Sequence, residues 1–383
     1  MRVRVVRFAV CCFAIWSSLF ALRAKSEWDE LRHVSGFDFS GVAKLVTDPE
    51  PGQSTRVIFE IRGKRFVAYL YGSNAGRVSR ALAGESVYLR GRTTPGAPSY
   101  LAARHVVGRI EVANIDERVH AGSPLARSAN NVRRAITEGA GSMSPANAAL
   151  FTGLVIGDDR NQSQAMIADF RKAGMSHLTA VSGQNVAFIL SVFAPLLVRL
   201  APRRRMAATL LIVGWFVLLT RAEPSVLRAA GMSMISAHGY MRGQRVRTVG
   251  ALAACVSVLL LVDPLLAWSP GWWLSVSASL GICTLAKPIA DRIPGNRIAE
   301  LLAATLAAQI ATLPVSLLYF GQLAPLGLFA NVLTVPVAGL VMLVGFPLGL
   351  IAGLGPESIA SIVMYPVEIA VAWIALVARL FSL

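Results

Sequence analysis

Arg171-Lys-Ala-Gly-Met-Ser-His-Leu-Thr-Ala-Val-Ser-Gly-Gln-Asn-Val-Ala-Phe188 is the stretch that decides the fold, because it sets His177, Ser182, Gln184 and Asn185 at the entrance of a long apolar run. In a low-dielectric region each polar group must find a partner or cost roughly 1–3 kcal/mol, so such a group at a helix start points to a lined cavity rather than lipid contact. Working outward, apolar segments recur at 178–198, 206–220, 226–240, 248–268, 272–286, 299–320, 326–354 and 359–380. With an N-terminal run they make about nine. The 383 residues are 55% hydrophobic and 15% charged, with a mean hydropathy of +0.57, which excludes an ordinary soluble domain. The fold class that follows is a polytopic α-helical membrane protein.

The formal net charge is +16, and nearly all of the basic residues are arginine. Such a surface suits anionic membrane lipid or a polyanion such as DNA. Cys11, Cys12, Cys255 and Cys283 lie in apolar runs without paired spacing and read as small core or lipid-facing residues. The histidines His33, His105, His120, His177 and His238 are scattered, with no zinc-type cluster, and no G-x-x-x-x-G-K-[ST] occurs. His177 and Ser182 do not form a G-x-S-x-G elbow. No enzyme activity, metal or cofactor is expected.

Arg2, Arg4 and Arg7 precede the apolar run 8–22, which would span only about 22 Å. It is a short anchor or a signal peptide, and Leu22-Arg23-Ala24 lacks the small residue of a cleavage site, which favours an uncleaved anchor over residues 1–24 with a cytoplasmic N-terminus. Residues 25–129 then alternate like strands at 37–46, 55–62, 65–71, 85–90 and 101–110, with turns at Asp48-Pro-Glu-Pro-Gly52, Arg62-Gly-Lys64 and Pro95-Gly-Ala-Pro98. Five short strands predict an external, OB-like small β-barrel. Arg56, Arg62, Lys64, Arg65, Arg90 and Arg92, interleaved with Phe66, Tyr69, Tyr71 and Tyr88, suit a surface that tracks a nucleic-acid backbone and stacks bases. The plainer reading makes the aromatics core and the arginines a solvated face.

Residues 130–174 form a connector with helical patterns at 145–156 and 163–173, the second amphipathic through Met166, Ile167, Phe170 and Ala173. Asp158 and Asp159 between them read as an N-cap with a solvated neighbour, with a metal site as the alternative. Residues 175–383 are the transmembrane domain. Its basic linkers alternate: Arg199, Arg203, Arg204 and Arg205 close the second segment, Arg242, Arg245 and Arg247 the fourth, and Lys287, Arg292 and Arg297 the sixth. This predicts that even-numbered segments end inside and that the β domain lies outside.

The phrase Gly174-Met-Ser-His-Leu-Thr-Ala-Val-Ser-Gly-Gln-Asn-Val186 resembles the signature of the ComEC family of competence proteins, which carry transforming DNA across the inner membrane. Val155-Ile-Gly-Asp-Asp-Arg160 resembles the family's Leu-Leu-Gly-Asp-Arg element, with an acidic residue inserted. Glu223-Pro-Ser-Val-Leu-Arg-Ala-Ala230, Asp263-Pro-Leu-Leu, Ser269-Pro-Gly-Trp-Trp-Leu-Ser275, Gln309-Ile-Ala-Thr-Leu-Pro314 and Tyr319-Phe-Gly-Gln-Leu-Ala-Pro-Leu-Gly-Leu-Phe-Ala-Asn331 continue the likeness in the right order. The resemblance implies single-stranded DNA as the passenger, an external DNA receptor, a cytoplasmic ATP-driven motor and a possible homodimer. Many members also carry a metallo-β-lactamase-like domain, absent from this sequence up to Leu383, so nuclease action is expected from a partner.

The candidate path through the membrane comprises His177, Ser182, Gln184, Asn185, Arg228, Gln309 and Asn331. An arginine inside an apolar helix costs at least about 2.5 kcal/mol facing lipid, so Arg228 should point inward to a phosphate or a carboxylate, with Glu223 a turn away. Gly157, Asp158, Gly183, Pro224, Pro264, Pro270, Gly271, Pro314 and Gly321 shape the breaks that carry these polar groups. The alternatives are a transporter or intramembrane enzyme for another anionic substrate, such as a lipid phosphate or cell-wall precursor, and a truncated family member that conducts nothing.

Overall fold

The computed structural model describes residues 2–32, 34–179, 183–244, 246–293, 297–321 and 326–382. It divides into two units, Met1–Ala121 with Ala254–Trp272, and Gly122–Ala253 with Trp273–Leu383.

In the first unit the N-terminal apolar run is the middle of one continuous helix, α1 (Arg2–Arg32). Five strands follow, β1 (Asp38–Leu45), β2 (Thr55–Ile61), β3 (Lys64–Leu70), β4 (Ser86–Pro95) and β5 (Val106–His120), with a short helix α2 (Gly72–Val78) after β3. They close into a barrel in the order β1-β2-β3-β5-β4, consistent with an OB-like domain. Strand alternation drives this, since Val57, Phe59, Ile61, Phe66, Ala68, Leu70, Val87 and Leu89 all point into one core. The β2–β3 hairpin turns on Arg62 and Gly63, with φ of 52° and 76°, the left-handed pair that a two-residue connection requires.

The last strand begins later than alternation suggests. Ser99–Arg104 is a 3-10 turn whose Leu101 packs with Val106 on Ile58 and Val67, residues on the outside of β2 and β3. Two apolar residues on an outer face need a cover, and this turn supplies it. Leu101→Ala should therefore cost about 2–4 kcal/mol of barrel stability. The expected result is faster hydrogen exchange in β2 and β3 of the full chain, with unchanged exchange in the helical unit.

The second unit is helical: α3 (Pro124–Ala140), α4 (Pro145–Ile156), α5 (Gln164–Lys172), α6 (Ser176–Thr179), α7 (Gln184–Leu197), α8 (Pro202–Leu219), α9 (Pro224–Met241), α11 (Pro270–Ala290), α12 (Arg297–Phe320), α13 (Gly327–Leu354) and α14 (Glu357–Phe381), while α10 (Thr248–Val262) is divided between the units. Among the described residues four helices are long and apolar enough to cross a membrane, α11, α13 and α14 in full and α12 over Ala299–Tyr319. The connector holds a helix that sequence reading overlooked. Amphipathic α3 buries Ala129, Ile136, Gly139 and Ala140. The start of α4 is capped from a distance, the Glu368 carboxylate of α14 accepting from the Ser144 N–H at 2.8 Å and the Asn147 amide at 3.2 Å.

One expectation from linker charge needs correction. The Arg133 guanidinium donates to the carbonyl of Leu219, the last residue of α8, at 3.0 Å. Two residues along α3, Ala135 meets Gly353 in the last turn of α13. Both helix ends therefore reach α3 within two residues of each other, whereas alternating linkers set them on opposite faces. That count treats every apolar segment as a crossing. With 14 and 15 residues, α7 and α10 are about 21 and 22 Å long, short of the roughly 30 Å hydrocarbon core.

Candidate functional site

On the barrel, the residues proposed for nucleic acid divide between faces. Arg56 and Tyr69 are cross-strand partners on β2 and β3. Around them the covering turn brings Tyr100 and Arg104. The Tyr69 and Tyr100 hydroxyls hydrogen-bond at 2.9 Å, the Arg56 guanidinium lies 6.0 Å from the Tyr100 ring centre, and Arg65 donates to the Arg104 carbonyl at 3.0 Å. Tyr100 is 61% exposed, an aromatic ring presented to solvent and held from beneath. Glu50 accepts from Arg56 Nε at 3.0 Å and lies 3.7 Å from Arg104, so part of the positive charge is answered locally. Burial works against the Arg56 charge, but the Glu50 carboxylate and the hydrogen bonds to Glu50 and Tyr100 hold its pKa above the ordinary value. The bond to Tyr100 and then burial raise Tyr69, against the opposing charges of Arg56 and Arg109, which adds Arg109 to this face.

Arg62 and Lys64 sit at the β2–β3 hairpin, where Arg62 lies 4.9 Å from the Phe37 ring centre, and the exposed Tyr71 follows β3. Arg90 and Arg92 lie on β4. Arg90 is in register with Ser40 and Asn114, and Arg92 is 3.9 Å from Asp38. The Ser40 hydroxyl, bonded to Tyr88 at 2.9 Å, lowers that phenol's pKa with help from Arg90.

In the helical unit, Arg228 on α9 donates from Nε to the Ser275 hydroxyl of α11 at 2.8 Å and reaches the Met232 sulfur at 3.4 Å. Gly183 opens α7 directly against it. A Cβ there would stand 2.7 Å from Arg228 Nη2 and 3.0 Å from the Ala229 methyl, so a larger residue would displace the guanidinium from this position. Gln184 is exposed at the first turn of α7, while the buried Asn185 amide donates to the Leu154 carbonyl at 3.0 Å and pins α7 to α4. His177 is exposed on the single turn α6. Ser182 lies outside the described residues.

Gln309 and Asn331 form a separate group. A Cβ on Gly327 would be 3.2 Å from Gln309 Nε2 and 3.3 Å from the Ala173 carbonyl, which places α12 and α13 against the turn after α5. Asn331, one turn further along α13, is 3% exposed, and its Oδ1 has no hydrogen-bond partner among the described residues. Thr334 donates to the Ala330 carbonyl at 2.8 Å and meets the Met175 sulfur at 3.2 Å. Ala173 thus lies at this group and Gly183 at Arg228.

The family described as Competence protein matches residues 154–383, more than half of the chain and the whole of this polar arrangement. The chain belongs to the competence protein (ComEC) family. It is 31% identical over 182 residues to ComE operon protein 3 of Bacillus subtilis (strain 168), an overlap of 47% of this chain and 23% of that protein. The chain therefore spans under a quarter of that relative's length. No solved structure matches it. With its apolar helices, this competence protein is a multi-pass membrane protein.

The competence motif around Asp158 has a different role from either sequence reading. The N-cap of α5 is Ser163, whose hydroxyl accepts from the Met166 N–H at 3.2 Å. Asp158 is 4% exposed and takes both Arg160 contacts, at 2.7 and 2.6 Å, with Arg133 at 3.4 Å. Gly157, left-handed at φ 67°, turns the chain so that Asp158 points back into the unit. Among the described residues no group of three His, Cys, Asp or Glu side chains is placed to hold a metal ion. Pro224, Pro264 and Pro270 start helices, with Gly271 in the same first turn as Pro270. A missing N–H costs nothing there. Pro314 lies inside the continuous α12, and Gly321 closes it at φ 63°. Arg133, Tyr100, Arg104 and Arg109 escaped sequence reading. Only Tyr100 carried a signal, an aromatic next to the Pro95-Gly-Ala-Pro98 turn.

Proposed function

We propose that this chain is a conduit component through which single-stranded transforming DNA enters the cytoplasm, and that it is not itself an enzyme. The observation that carries the reading is Arg228, placed in an apolar helical unit beside a hydroxyl and a thioether and against Gly183 of the family signature. A guanidinium so placed can exchange its hydroxyl contact for a passing phosphate. Gln184, Asn331 and Gln309 supply amides along the segment that connects to it, and Ser182 and His177 belong to the same route. The barrel gathers the strand outside, with Tyr69 and Tyr100 as stacking surfaces and the neighbouring arginines on phosphates. In this reading the N-terminus is cytoplasmic, an external receptor delivers DNA, a cytoplasmic ATP-driven motor draws it in, and two copies assemble as a homodimer.

Uptake of labelled donor DNA tests this in a transformable host lacking its own channel, complemented with the parent, Arg228→Ala or His177→Ala at equal membrane levels. The parent should restore uptake. Arg228→Ala should lower it by about 10-fold or more, the scale of one lost charge-assisted contact. A well-folded parent that imports nothing, with receptor and motor present, would instead favour another anionic substrate or a non-conducting member.

A further inference from the structure

His105 ends the turn Ser99–Arg104 in the left-handed conformation, φ 56° and ψ 34°. Its ring stands between two carboxylates from distant parts of the chain. Nδ1 is 3.5 Å from Glu27 Oε2 on α1, and Nε2 is 3.1 Å from Asp263 Oδ2, immediately before the turn Pro264–Trp268. The three side chains are 19–29% exposed, sheltered without being sealed.

The donor count decides what this arrangement needs. An ionised carboxylate only accepts hydrogen bonds, and a neutral imidazole carries one N–H. Both contacts are ion pairs only when both ring nitrogens carry protons. The surrounding charges do not remove this demand. Arg23 lies 3.2 Å from Glu27 and also donates to the Val262 carbonyl, while Asp263 Oδ1 accepts from the Leu265 N–H. Arg104, the neighbour on the turn, is directed to Glu50, and Arg65 to the Arg104 carbonyl. Among the described residues Arg23 is the cation in contact with Glu27, and none but the imidazole stands against both carboxylates.

We propose that His105 is a pH-sensitive strap that ties the barrel's Ser99–Arg104 turn to α1 and to the corner between α10 and α11. The strap is closed with the imidazole protonated. When the imidazole loses its charge, one nitrogen turns a lone pair towards a carboxylate and that contact is lost. A non-glycine residue in the left-handed region is disfavoured, so the turn has a standing tendency to relax once released. Tyr100 and Arg104 ride on this turn. The strap therefore sets the order of the stacking face, although its own existence does not depend on what that face binds.

Hydrogen exchange of the full chain in detergent micelles tests the strap, read by mass spectrometry at about pH 5.5 and about pH 7.5 and corrected for intrinsic base catalysis. Peptides over 99–106 and 262–268 should be about fivefold better protected at the lower pH, the scale of one partly exposed ion pair. His105→Asn, which tolerates the left-handed backbone and does not titrate, should abolish this step, and Glu27→Gln or Asp263→Asn should reduce it. Peptides from β2 and β3 report in every sample that the barrel is folded. A parent without the pH step, or a step that survives His105→Asn in a folded barrel, overturns the proposal.

Discussion

Replacing Arg133 with methionine is expected to cost the helical unit about 3–5 kcal/mol, the range found when one member of a buried charged pair is removed. Arg133 is 2% exposed, and its partners include two carbonyls and a carboxylate. Its Nη1 donates to the carbonyls of Ile156 at 2.7 Å and Leu219 at 3.0 Å, the last residues of α4 and α8, and its Nη2 lies 3.4 Å from Asp158. Two helix C-termini thus point their partial negative charge at one guanidinium. Methionine fills the volume and satisfies none of them. Arg133→Lys keeps the charge, but a single ammonium lacks the fork that reaches both carbonyls and the carboxylate, so an intermediate loss is expected. Denaturant titration of the detergent-solubilised chain is the measurement. Asp158→Asn should cost less in the Arg133→Met background than in the parent, because the two residues share one contact. Equal stability of parent and Arg133→Met would show that α4 and α8 do not depend on this cap.

The second large effect is expected at the crossing of α3 and α13. Gly345, Gly349 and Gly353 recur every four residues and lie on one face of α13. Gly345 and Gly349 receive the Phe151 ring, and Gly349 and Gly353 meet Gly139 and Ala135 of α3. A Cβ on Gly353 would fall within the van der Waals shell of the Ala135 carbonyl, and a Cβ on Gly139 within that of the Gly349 carbonyl. Backbone cannot rotate aside as a side chain can. Gly353→Ala and Gly139→Ala should each cost about 3 kcal/mol, the upper end for overpacking, by forcing the helices apart. Gly214→Ala in α8 is the control. A Cβ there meets nothing within 4 Å, so the change should be neutral or stabilising by up to about 1 kcal/mol. The same titration checks all three, and unchanged stability in Gly353→Ala would mean that α3 and α13 do not pack this closely.

The barrel was legible because its information is local. Residues two apart share a face, and turn residues stand between the runs, so β1 to β3 are read to within a residue of their observed ends, while β4 starts within a residue but runs five residues further than read. Leu101 broke the pattern because its apolar partner is not the core its alternation implied but the outer face of Ile58 and Val67. The membrane segments and family motifs were legible for a similar reason, since composition and motif order are carried along the chain. Linker charge misplaced the ends of α8 and α13 because it records which loops are basic and contains nothing about which helices are too short to cross.

By itself the sequence determined a multi-pass membrane protein of the competence family with a small β-barrel near its N-terminus, together with Arg228 and the 174–186 signature as the polar feature of the helical unit. Tertiary structure alone decided the pairings. It set Arg133 against carbonyls 23 and 86 residues away, made Asp158 a buried ion-pair partner, brought Tyr100 onto Tyr69 and Arg56, and placed His105 between Glu27 and Asp263. Periodicity and motifs act over a few residues, where chain geometry leaves few choices. Which charged group answers which is settled only when burial removes water as the alternative partner, and that depends on elements far apart in sequence.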